Sequence, residues 1–179
     1  MPPLLSNARI LELGAGTGVL STLLAPCVAS WTATDIAELL PLIQKNHRHN
    51  SSRLASASVD VRELDWTWTA QQFQKNAKEI AAQHYDVLLA VDCLYNEALV
   101  QPFMNTLNQI RSTYVVVVSE LRSVDVMQLF LERWLASGPW RIFRPAVAHN
   151  QDEAVREGRD SSGVLGNRYI IWVGWKESV

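Results

Sequence analysis

Cysteine is scarce in this chain: Cys27 and Cys93 are the only two in 179 residues. Two thiols make no disulfide scaffold, and their spacing matches no zinc motif, so a reducing intracellular compartment is expected. Positive charge is in short supply too. Sixteen Lys and Arg stand against 18 Asp and Glu, a net charge of −2. A protein that grips duplex nucleic acid by neutralising many phosphates carries the opposite balance. No apolar run approaches the ~18 residues that read as a membrane span. The start, MPPLLSNARILELGAG, lacks the charged and apolar regions of a secretory signal. Internal repeats and low-complexity segments are missing as well. What is present is an apolar composition, 48% hydrophobic against 19% charged, with seven tryptophans. Such a chain buries a core rather than staying disordered, and its length predicts one domain over residues 1–179.

Short apolar runs alternate with helical stretches. Arg9–Leu13, Ser30–Thr34, Ser58–Leu64, Tyr85–Val91 and Tyr114–Val118 read as strands, the last two as continuous apolar runs covered on both faces. Thr17–Ala25, Ile36–His49, Thr69–His84, Asn96–Ile110 and Val124–Leu135 read as helices. Trp140–Val147 and Arg168–Trp175 are two further strand candidates, expected to pair antiparallel. Between them Ala148–Asn167 carries Asp152, Glu153, Glu157 and Asp160 among Arg156 and Arg159. It reads either as a solvated loop or as a docking point for a basic segment. The pattern predicts a three-layer α/β domain with a mostly parallel sheet and a C-terminal antiparallel strand. In open sheets of this kind ligands bind beyond the carboxyl ends of the strands. The residues that follow each strand are therefore Gly14–Gly18, Asp35, Asp65–Trp66, Asp92–Tyr95 and Ser119–Arg122.

ILELGAGTG, Ile10 to Gly18, is a glycine-rich turn that lets backbone amides face a ligand at close range. Its glycines stand at 14, 16 and 18, and Val19 occupies the position where a dinucleotide fingerprint needs its third glycine. Glu12 accepts hydrogen bonds but repels phosphate. Both features disfavour a dinucleotide and suit a different adenosine ligand. Asp35 closes the next strand at the distance from the loop where an acid bonds ribose hydroxyls; the alternative is an N-cap on the following helix. In ELDW, Asp65 is placed to accept from an adenine amino group and Trp66 to stack on the base, or to serve simply as core. In DCLY, Asp92 and Tyr95 put an acid and a phenol where the reacting end of the ligand should lie. An Asp at a buried strand end needs a partner, and an ammonium group is a natural one.

Together ILELGAGTG, Asp35, ELDW and the Asp-x-x-Tyr of DCLY resemble the seven-strand S-adenosylmethionine-dependent methyltransferases. More narrowly they resemble the family 16 protein-lysine methyltransferases, as does Glu120–Leu121–Arg122. The DCLYNEALVQPF stretch reads most like the fungal ribosomal-protein branch. The resemblance covers residues 8 to 175. It implies a Rossmann-like fold and S-adenosyl-L-methionine as cofactor, with Gly14, Ala15 and Gly16 at its amino-acid end. Glu12 is included in that cofactor set. The resemblance places Asp35 on the ribose, and Asp65, Trp66 and Val91 beside the adenine and the pocket wall. Asp92 and Tyr95 line the substrate side. It further implies a protein substrate bearing the target lysine (a ribosomal protein, elongation factor or chaperone), a monomer, and a cytoplasmic location that extends to the nucleus. Family members carry an upstream segment before the first strand, whereas nine residues precede Ile10, so a core without its N-terminal cover is expected.

Two other readings stay open at this point. One is a methyltransferase acting on nucleic acid or a small molecule, although DCLY lacks the two prolines of the base amino-methylating motif. The other is a non-catalytic binding module on the same fold. An NAD-dependent enzyme is weakened by Val19. Cys27 and Cys93 read as core residues. His47, His49, His84 and His149 are scattered, so no metal site is expected.

Overall fold

The protein is described by a computed structural model over residues 6–145 and 169–176. Its strands are β1 (Arg9–Leu13), β2 (Ser30–Asp35), β3 (Val59–Glu63), β4 (His84–Val91), β5 (Arg111–Glu120), β6 (Trp140–Phe143) and β7 (Tyr169–Lys176). They form one sheet in the order β3-β2-β1-β4-β5-β7-β6. Strands β1 to β5 pair in parallel, and β7 lies antiparallel to both β5 and β6. The helices are α1 (Val19–Leu24), α2 (Leu40–His49), α3 (Ser51–Leu54), α4 (Ala70–Asn76), α5 (Lys78–Ala82), α6 (Glu97–Gln109) and α7 (Val124–Ala136). The order reverses between β1 and β4, and at that switch point the connections leave the two strands in opposite directions and open a crevice.

Successive side chains of a strand point to opposite faces, and β1 divides the core on that basis. Leu11 and Leu13 pack with Leu88, Ala90, Val115 and Val117, and with residues of α4, α5, α6 and α7. Ala8 and Ile10 pack with Trp31, Ala33 and Ile43 on the other face. On the larger side an aromatic file crosses the molecule. Trp66, Phe103, Phe130, Trp134 and Trp140 follow one another at centroid separations of 5.1, 5.8, 5.1 and 5.7 Å. Gly174 of β7 permits this, because a Cβ there would collide with the Trp134 ring.

The helices that the periodicity predicts are present, with altered ends. Helix α6 begins after Asn96, whose side chain accepts from Ala98 N–H, and α7 after Ser123, which caps Val126. The Ile36–His49 stretch becomes helical only at Leu40. Leu39 N–H first closes a turn on Ile36 O, and Pro41 sits in the first turn, where its missing N–H costs nothing. Thr69–His84 is not one helix. Thr69 and Gln72 form a capping box for α4, the chain breaks at Ala77 (φ −104°, ψ 16°), and His84 already belongs to β4. Apolar spacing is blind to a one-residue kink that leaves both Phe73 and Ile80 buried. Strand β5 outruns its apolar run Tyr114–Val118 because its polar ends still pair, Arg111 with His84 and Glu120 with Tyr169. The Ala148–Asn167 stretch lies outside the described residues.

Candidate functional site

At the carboxyl ends of β1 to β4 a cavity of about 720 Å³ opens, within the size range of small-molecule sites. Glu12, Gly14, Ala15, Gly16, Asp35, Asp65, Trp66, Val91, Asp92 and Tyr95, the whole set singled out from the sequence, line it. They come from the carboxyl ends of β1, β2 and β4 and from the turns after β1, β3 and β4, so the sheet order brings them together.

The glycine loop follows β1. Gly14 and Gly16 have φ of 69° and 57°, in the left-handed region that favours glycine. A Cβ on Gly14 would lie 3.0 Å from Cys93 Sγ and 3.4 Å from the Trp66 ring, whereas one on Gly16 would meet only open space. Three of the loop amides are already bonded within the protein. Ala15 N–H donates to Thr34 O (2.9 Å), Gly16 N–H to Asp35 Oδ2 (2.7 Å) and Gly18 N–H to Ala15 O (2.9 Å). Through Ala15 and Gly16 the loop is tied to the end of β2.

Asp35 is not the N-cap of the following helix, since that position belongs to Leu39. Its Oδ1 accepts from Ile36 N–H at 2.8 Å. Each carboxylate oxygen has a second lone pair, so Asp35 bordering the cavity retains acceptor capacity. Glu12 is almost wholly buried, 3% exposed, and Trp31 Nε1 donates to its Oε2 at 2.8 Å. Burial pushes its carboxyl up to about 7; the Trp31 bond opposes this and the nearby Asp35 charge adds to it. This end of the cavity is thus poised to become more anionic when a cation arrives.

Asp65 Oδ1 accepts from both the amide and the hydroxyl of Thr67, at 2.8 and 2.7 Å, which turns the chain after β3. Trp66 has both of its expected fates: it packs edge-on against Phe103 and also walls the cavity. Opposite stands Asp92. Its partner is Arg122, whose Nη2 lies 2.6 Å from Oδ2, and its side chain is 38% exposed. Asp92 is therefore partly exposed rather than buried and already has a partner, because the residues after β5 bring a guanidinium over the end of β4. Tyr95 stands at the rim, 60% exposed.

Cys93 is buried, and its Sγ is 3.2 Å from Leu13 O and 3.3 Å from Val91 O. Burial raises its pKa to about 12, so it is a thiol and no nucleophile. Sequence reasoning passed over His47, which supports the loop from α2. The Ser21 hydroxyl donates to Gly18 O at 3.0 Å, which leaves its oxygen to accept from His47 Nε2 at 2.8 Å. Burial lowers the His47 pKa. Asn46 Nδ2 adds a bond to Thr17 O. No spacing in the sequence announces these contacts. Arg122 did carry a signal, its place directly after the fifth strand.

Comparison with known proteins agrees with this fold. A family model described as lysine methyltransferase matches residues 3–134. The ribosomal lysine N-methyltransferase 5 of Zygosaccharomyces rouxii is 27% identical, over 74% of this chain and 53% of that protein. The protein-lysine methyltransferase METTL21E of Bos taurus is 30% identical, over 73% of this chain and 44% of that protein. The chain thus spans about half the length of these relatives. Among solved structures, an S-adenosylmethionine dependent methyltransferase from Mesorhizobium loti superposes with a TM-score of 0.61 at 12% identity. The match covers 97% of this chain and 93% of that one, a likeness of fold.

Proposed function

Since the chain belongs to the lysine methyltransferase family, we propose that it transfers methyl groups from S-adenosyl-L-methionine to the ε-amine of a lysine on another protein. The observation that carries this reading is the convergence of the glycine loop, Asp35, Trp66 and the Asp92–Tyr95 pair on one cavity. The acceptor is a cytoplasmic protein: a ribosomal protein, elongation factor or chaperone, the first suggested by what the yeast relative's name says it modifies. The enzyme works as a monomer, in the cytoplasm and also in the nucleus, and does not grip duplex nucleic acid.

The residues fit the cofactor. The open space over Gly16 would accept its amino-acid end, Asp35 has acceptor capacity for ribose hydroxyls, and Trp66 with Val91 and Asp65 would border the adenine. Buried Glu12 favours a ligand that brings positive charge. When bound, S-adenosyl-L-methionine supplies an electrophilic methyl group on a sulfonium. The attacking lysine must be neutral, although its ordinary pKa is about 10.4. Asp92 attracts and orients the incoming ammonium at the rim. Its carboxylate is already bonded to Arg122, which suits it to orientation rather than to taking up the proton. Tyr95 positions the amine. Alignment of the two reacting groups supplies most of the rate.

The test is incubation with labelled S-adenosyl-L-methionine and a lysate lacking the enzyme, followed by mass spectrometry of the labelled protein. Methyllysine in the product is expected, and Asp92→Ala should abolish it while the cofactor still binds by calorimetry. Label on nucleic acid or on a small molecule would overturn the substrate class. A folded protein that does not bind the cofactor would favour a non-catalytic module.

A further inference from the structure

Asp92 is the only non-glycine residue with positive φ (54°) among the described residues. This conformation is uncommon for residues with a Cβ, although Asp tolerates it better than most, and contacts around it can hold it. The holding contacts come from the carboxyl end of β5. Asp92 N–H donates to Val118 O at 2.7 Å. Its Oδ1 accepts from Glu120 N–H at 3.4 Å and its Oδ2 from Arg122 Nη2 at 2.6 Å. Arg122 Nε in turn donates to Glu120 Oε2 at 2.7 Å. The guanidinium therefore bridges two carboxylates with two of its prongs, a span that its rigid plane fixes and a lysine ammonium does not. Asp92 borders the cavity while Arg122 stands outside it, half exposed.

We propose that Arg122 is a positioning residue for the transfer reaction. Braced by Glu120, it clamps the Asp92 carboxylate at the rim in the orientation that receives the substrate's ammonium. The proposal rests on the lysine methyltransferase reading of the site. Arg122 thus acts through Asp92 and touches neither cofactor nor the reacting atoms.

The experiment compares wild type, Arg122→Ala and Arg122→Lys at saturating S-adenosyl-L-methionine. Apparent kcat and KM are read from serial dilution of one acceptor lysate, and cofactor affinity from calorimetry. For Arg122→Ala the expected outcome is a loss of up to about a hundredfold in kcat, the scale of a misaligned reacting group. KM should not rise, and cofactor affinity should change less than twofold. Arg122→Lys should fall between, since it keeps the charge and loses the fork. A fall in KM alone would make Arg122 a competitor of the substrate and overturn the proposal, as would unchanged kinetics. Loss of cofactor affinity would mean general loosening and overturn it too. Hydrogen exchange at the Glu120 amide, followed in the same proteins, needs no activity. Faster exchange in Arg122→Ala supports the clamp and unchanged exchange overturns it, even if the wild type transfers no methyl group and the proposed function fails.

Discussion

Gly16 N–H donates to Asp35 Oδ2 at 2.7 Å, so the acid proposed for the ribose also holds the glycine loop in place. The two roles separate by substitution. Asp35→Ala removes both, and at about 1.5–3 kcal/mol for a hydrogen bond to a charged group the cofactor should bind at least tenfold more weakly. Asp35→Asn retains an amide oxygen for the Gly16 N–H and should bind better than Asp35→Ala. Calorimetry with S-adenosyl-L-methionine measures both.

Glu12 should make stability depend on pH. Its folded pKa of about 7 lies above the ordinary 4.5, so between these values the folded protein holds a proton that the unfolded chain has released. Stability then falls as pH rises through this window, by about 3 kcal/mol at most, and levels off above it. Glu12→Gln keeps an acceptor for Trp31 and should flatten a plot of Tm against pH from 5 to 8. Cofactor affinity, which gains from the ionised carboxylate, should rise through pH 7 in the wild type and not in Glu12→Gln.

How far these features are legible in the sequence varies with their range. The strand-end acids and the glycine loop were readable, because each sits at a fixed place in a strand-turn-helix unit and the sheet order does the rest. That the Ala15 and Gly16 amides are spent internally was not, since it depends on Thr34 O and Asp35 arriving from the neighbouring strand. Neither was the Arg122–Asp92 bond, which joins residues thirty positions apart, nor the break at Ala77, which apolar spacing cannot register.

Tyr95→Phe removes a hydroxyl at the exposed rim. Stability should stay within about 0.5 kcal/mol, as for most surface changes, while methyl transfer falls by up to about a hundredfold through lost alignment. Equal rates at saturating cofactor would take the hydroxyl out of the reaction.

Gly174→Ala tests packing far from the cavity. The new methyl group would press on the fully buried Trp134 ring, and overpacking of this kind costs about 1–3 kcal/mol. A lower midpoint in urea, with unaltered cofactor affinity at room temperature, is expected.

The aromatic file has a consequence for synthesis. Every residue lining the cavity lies at or before Leu99, yet the rings that back Trp66 continue through Phe130 and Trp134 to Trp140. A nascent chain that has cleared the ribosome only as far as α6 already holds the complete lining and still lacks the wall behind it. The rings behind one wall of the cavity are therefore made after the residues that line it.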